Sequence, residues 1–267
     1  MASTSSGTLI FNEPIKHKTK GVDMTNQQEK VKGVVDIVFL MDATGSMGNC
    51  IDKLKKNVML FFKSLTEVDP ETQNFPPVKD WRAKVVGFRD ADVDGSAWFE
   101  DNPFTRDVGE IERQLSALSA KDGGDIPESL LDAIYKVADA PKSGKGVEQP
   151  QAWRYRSEAV RAIIAFTDAP YKPRMTAPGI AGGDITTLRL LCVQERILLT
   201  VVAPKGVDDA AFEIIEGIRY AKWVGVPAGQ SGEGSPIDEF MNNREALQKV
   251  IQVIAKTITK TATDIAL

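Results

Sequence analysis

Apolar residues follow two rhythms along this chain, and their alternation predicts the fold class. From Val34 the run VVDIVFLM is almost continuously apolar, as a strand buried on both faces of a parallel sheet must be. The loop DATGSMGN follows, and then Cys50, Ile51, Leu54, Val58, Phe61, Phe62 and Leu65 recur at the spacing of one helical face. The order strand, loop, helix then repeats. Residues 83–89 read as a strand, 97–99 as a second extended segment and 110–118 as a short helix. The next helix has Leu130, Leu131, Ile134 and Val137 on its apolar face, with Pro127 placed in its first turn. The segment DAPKSGKGVEQPQ reads as a surface loop from its Pro, Gly and charge content. Beyond it, strands are predicted at 159–167, 197–202 and 221–226, with helices at 185–194 and 208–218. After the loop PAGQSGEGSP, Phe240, Leu247, Ile251, Ile254 and Ile258 form the stripe of a long terminal helix.

Such alternation over about 220 residues implies an α/β domain with a doubly wound, mostly parallel sheet flanked by helices, and one antiparallel edge strand. Ligands of such sheets bind at the carboxyl ends of the strands. Residues 1–33 are rich in Ser, Thr, Lys, Asn and Gln and read as a polar tail with one apolar island at Leu9, Ile10 and Phe11. The domain is expected to span 34–258, with 259–267 as the end of the last helix or a tail. No internal repeat is evident.

Composition removes several functional classes. The 267 residues hold 33 Lys and Arg against 37 Asp and Glu, a net charge of −4, so no basic surplus favours nucleic acid or anionic lipid. His17, in the polar tail, is the single histidine, and Cys50 and Cys192 are the two cysteines. A Ser-His-Asp or Cys-His site therefore lacks its base, a Cys/His zinc site lacks its ligands, and no disulfide framework is possible. The amino terminus has no apolar core of the signal-peptide kind, and no window approaches the ~18 apolar residues of a membrane span. The expectation is a cytoplasmic protein with no membrane and no nucleic-acid partner.

Three loops carry the candidate chemistry. Asp42, Thr44 and Ser46 in DATGS follow the first strand, where a carboxylate and two hydroxyls at alternate positions can converge while Gly45 permits a tight turn. Asp125 lies in GGDIPE ahead of a helix, and Thr167 and Asp168 end the strand AIIAFTD. Oxygen ligands of this kind suit a hard divalent cation such as Mg²⁺, with Mn²⁺ or Ca²⁺ as alternatives. Each acid also has an ordinary reading. Asp42 and Asp125 are good helix caps, Asp168 before Ala-Pro can shape a turn, and Glu128 can serve a helix dipole as readily as reach the metal loops. The acidic run RDADVDG lacks the glutamate of a calcium loop, and a solvated loop beside the site is the better reading.

Taken together, the three loops resemble the metal-ion-dependent adhesion site of von Willebrand factor A (vWA) domains over roughly residues 34 to 258. The D-x-[ST]-x-S motif of that family matches Asp42, Thr44 and Ser46, and its TD after the fourth strand matches Thr167 and Asp168. Its GGT loop is matched by GGD, with Asp125 at the threonine position. The GGD-x-PE form is similar to hemicentin-type and some alpha-kinase-associated vWA domains, although no kinase segment is expected in these residues. The resemblance implies a Rossmann-like fold and a metal held by Asp42, Thr44, Ser46, Asp125 and Asp168. It also implies a protein partner whose acidic side chain completes the coordination, either an AAA+ ATPase or a component of a defence or signalling complex. Asp125 makes the site more anionic, which strengthens the hold on a cation and weakens its pull on a partner's carboxylate. On this reading the chain is a non-enzymatic interaction module. A metal-dependent phosphoester hydrolase and a structural part with metal-pinned loops are the alternatives.

Overall fold

The computed structural model describes residues 33–67, 78–121, 126–227 and 243–264. Six strands form one sheet: β1 Val34–Asp42, β2 Asp80–Phe88, β3 Phe99–Asp101, β4 Val160–Phe166, β5 Ile197–Pro204 and β6 Ala221–Val226. Among the described residues six α-helices accompany them: α1 Gly48–Thr66, α2 Val108–Ala117, α3 Leu130–Ala138, α4 Ile185–Glu195, α5 Asp209–Glu216 and α6 Arg244–Asp264. The strand order is β3-β2-β1-β4-β5-β6, all parallel except β3, which runs antiparallel to β2 with Phe88 opposite Phe99. This is a Rossmann-like α/β fold, and its strand order reverses between β1 and β4, where such sheets open a crevice.

Strand alternation sorts the core into two layers. Val35, Ile37, Phe39 and Met41 of β1 face the side covered by α1, α2 and α6, while Val38 and Leu40 face α3, α4 and α5. All seven apolar residues predicted to line α1 are buried. On that side Phe39, Phe61 and Phe62 meet edge to face with centroids 5.1–6.1 Å apart, and Trp81 stacks on Phe62 at 3.9 Å. Gly87 in β2 allows a close approach, since a Cβ there would lie 2.7 Å from Leu118 Cδ2.

Some expectations need correction. Residues 95–98 form a 3₁₀ turn, so the extended segment begins only at Phe99. Pro127 is not in the first turn of α3, which starts three residues later with Ser129 at its cap. Residues before that cap are held instead by the β4–α4 loop: Glu128 N–H donates to Pro170 O at 2.9 Å, and Lys172 N–H donates to Glu128 O at 2.9 Å. Phe240 lies outside the described residues, and α6 continues past residue 258 to Asp264.

At the amino ends of the strands, opposite the crevice, Asp36 is fully buried within β1. Its carboxylate accepts from Arg82 Nε at 2.9 Å and Nη2 at 2.7 Å, and from Arg154 Nε and backbone N–H, both at 2.7 Å. Asp80 and Glu148 extend this network outward through Arg106 and Arg154. Burial raises the Asp80 carboxyl, but hydrogen bonds and charge from Arg106 and Arg154 outweigh it and hold the group below its usual range. Hydrogen bonding from Arg106 lowers Glu148 in the same way. Both folded-state values thus lie below the unfolded ones. The stability these groups add is complete above the unfolded carboxylate range near pH 4 and is lost as pH falls through the folded values. Combining Asp80→Asn with Glu148→Gln should flatten the acid limb of the unfolding curve by about 1 kcal/mol or less, because exposed ion pairs are screened. An unchanged acid limb in chemical denaturation would refute this.

Candidate functional site

The loop after β1 is held from three sides before any ligand is considered. Ala43 N–H donates to Phe88 O at 2.8 Å, continuing the β1–β2 pairing past the strand end. Arg89, 2% exposed, donates to the carbonyls of Ala43, Ala97 and Ser119 at 3.2, 2.8 and 2.9 Å, and to Glu100 at 2.8 Å. Gly45–Met47 form a single 3₁₀ turn that leads into α1. Asp42 is therefore the last residue of a central strand, with its side chain in the crevice beside β4.

Asp42 is fully buried and its two oxygens have different partners. Oδ1 accepts from the Thr44 backbone N–H at 3.0 Å and from the Thr44 hydroxyl at 2.7 Å. Oδ2 accepts from the Thr167 hydroxyl at 2.8 Å, a bond across 125 positions of sequence that joins the β1 and β4 loops. Thr44 Oγ1 and Ser46 Oγ lie 3.4 Å apart. Burial pushes the Asp42 carboxyl up to about 6, Thr44 and Thr167 pull it down, and the negative charge of Asp168 adds to the rise. The structure thus gathers Asp42, Thr44, Ser46, Thr167 and Asp168 at one place. Asp125 lies outside the described residues.

Two further groups belong to this region. Glu128, 4% exposed, is pushed up to about 8, chiefly by burial and then by the charges of Asp42 and Asp90. Asp90 is 1% exposed, so the first acid of the run RDADVDG is buried and not solvated as expected. The reason is Lys172, whose ammonium binds Asp90 Oδ1 and Asp92 Oδ2 and draws the β2 loop against the β4–α4 loop. Three acids within five residues call for a counter-charge, and that was the available signal. A lysine some 80 positions away could not be matched to them by spacing.

The donor set is made of hard oxygens, and its fit to a cation can be judged from its geometry. Adjacent ligands of an octahedral Mg²⁺ with bonds of about 2.1 Å are roughly 3 Å apart, close to the Thr44–Ser46 oxygen spacing. Glu128 Oε2 is buried and accepts no hydrogen bond among the described residues, as an acid lacking its counter-charge would be. Among the described residues no three Asp, Glu, Cys or His side chains are grouped to hold a metal by themselves. A cation here would have to use the hydroxyls as well as the carboxylates. The cysteines offer nothing to such a site: both are buried, and burial pushes the Cys192 thiol up to about 12. No helix among the described residues is long and apolar enough to cross a membrane.

No protein-family profile matches the chain. Over 185 residues, 66% of its length, it is 25% identical to the alpha-protein kinase vwkA of Dictyostelium discoideum, a stretch that makes up 26% of that kinase. Among solved structures it is similar to proximal thread matrix protein 1 from the mussel byssus, at 12% identity and a TM-score of 0.49 over 84% of this chain and 47% of that one. The chain therefore spans less than two thirds of either protein.

Proposed function

We propose that this protein is a vWA-type binding module that holds a divalent cation, Mg²⁺ or Mn²⁺, through Asp42, Thr44, Ser46 and Asp168, and uses it to engage a partner protein without turnover. Thr167 positions Asp42 by its hydrogen bond. The observation that carries this reading is the Asp42–Thr167 contact, which brings two strand-end loops of hard oxygen donors together at the point where the sheet order reverses. Packing alone does not require a buried carboxylate there, whereas a +2 ion offsets both its burial and its repulsion from Asp168. The bound ion supplies an electropositive coordination point, and the chain's own residues fix where it faces. A groove of about 420 Å³ opens beside Ser46, lined by Asn49, Asp52, Lys55, Leu115 and Leu118 among others, and offers room for the partner segment that reaches the ion.

Metal linkage tests the proposal. Mg²⁺ or Mn²⁺ at one hundred times its dissociation constant should add about 2.7 kcal/mol of stability, and EDTA should remove it. Melting curves indifferent to metal and chelator would reject the site. Metal-dependent phosphoester turnover would favour the hydrolase reading instead.

A further inference from the structure

The backbone of Glu128 has a clear structural duty, bridging to Pro170 and Lys172, whereas its side-chain Oε2 has no partner among the described residues. That side chain is buried at the carboxyl end of the sheet, and its Oε2 is shielded from solvent without a hydrogen-bond donor among the described residues. The negative charges of Asp42, Asp90 and Asp168 all act on it unfavourably. Lys172 acts favourably but is already engaged by Asp90 and Asp92. Ser129, the next residue, is turned to the same β2 loop, accepting from Ala91 N–H at 3.0 Å and lying 3.5 Å from Asp90 Oδ1. A buried acid left without a counter-charge in acidic surroundings is unfavourable for folding, and glutamine would fill the same space without that cost. Among the described residues, the acids acting on Glu128 outnumber the one cation, Lys172, that offsets them.

We propose that Glu128 is a further acidic group of the cation site, accepting a hydrogen bond from a water of the hydrated divalent ion held between the β1 and β4 loops. The inference rests on the metal-site reading above and adds a residue to it. The outer position follows from the geometry, because no three acids among the described residues are grouped for direct ligation. Mg²⁺ also retains several of its waters when bound by one or two carboxylates, and those waters need acceptors. Groups that hold a metal's outer partners commonly control its affinity by 10- to 100-fold. Glu128 therefore acts in opposite directions in the two states, unfavourable in the metal-free protein and favourable in the loaded one.

That opposition makes the test specific. Wild type and Glu128→Gln are titrated with Mg²⁺ and with Mn²⁺ by calorimetry, and both are unfolded in urea with EDTA present. The expected result is an affinity at least tenfold weaker in the variant, together with a urea midpoint in EDTA that is equal to or above that of wild type. An affinity within threefold of wild type overturns the role of Glu128 and leaves the metal site standing. A lower midpoint in EDTA, or failure of the variant to fold, also overturns it, because the carboxylate would then support the metal-free fold. Absence of binding by wild type removes both this inference and the reading beneath it.

Discussion

Asp36→Asn should lower the unfolding free energy by about 3–5 kcal/mol, the range observed when one partner of a buried ion pair is removed. The carboxylate is fully buried and receives four N–H groups from two arginines whose side chains are 2% and 7% exposed. Asparagine can accept at one oxygen, but its amide turns two further donors toward guanidinium groups that are themselves only donors. Other carbonyls hold part of each arginine, with Arg82 donating to Gln149 and Ala152 and Arg154 to Val35. Those bonds satisfy geometry and leave the charge unbalanced. Asp80 and Glu148 supply charge only from the exposed rim. Urea unfolding measures the loss, and a value under about 1 kcal/mol would mean that the rim acids compensate. The metal response should be unchanged. Asp36 and Asp42 are six positions apart on β1, about 20 Å at 3.3 Å per residue, beyond the range at which substitutions couple.

The strands and helices were legible wherever one period dominated. VVDIVFLM could only be a doubly covered strand, and the α1 stripe could only be a helix face, because each buried set is local in sequence. Asp36 shows where that reading stops. The sequence displays an acid inside an apolar run and arginines in KDWRAK and WRYR, but the pairing spans 46 and 118 positions and depends on strand register. The 3₁₀ turn before β3 and the late start of α3 were missed for a related reason. In both places a tertiary bond sets the backbone: Arg89 N–H to Trp98 O at 2.7 Å in the first, and the Glu128 bridge to the β4–α4 loop in the second. The site was half legible. DATGS and FTD are strand-end motifs with local signatures, so the meeting of the Asp42, Thr44 and Ser46 loop with the Thr167 and Asp168 loop is readable from them. Glu128 could not be separated from an ordinary first-turn acid, since only its burial and the lack of a donor to Oε2 among the described residues distinguish it. Lys172 had no local signature at all.

Asp42→Asn should abolish the rise in stability with Mg²⁺ while leaving the metal-free protein folded, a difference of about 5–10 °C in melting temperature at saturating ion. Asparagine keeps the shape of the side chain. Its oxygen can still accept from the Thr44 N–H and hydroxyl in place of Oδ1. Its NH₂ takes the place of Oδ2 and can donate to Thr167 Oγ1, reversing the direction of that bond without breaking the link between the β1 and β4 loops. The charge alone is lost. In the metal-free protein that removes a buried acid next to Asp168, so stability in EDTA should be equal to or greater than that of wild type. In the presence of Mg²⁺ the same change removes the negative charge on which the proposed cation site depends. Alanine would confuse the two effects, because it also strips the acceptor from three donors in a buried loop. Calorimetry in Mg²⁺ and in EDTA separates them, and a variant that kept the full Mg²⁺ response would place the cation away from the β1 loop.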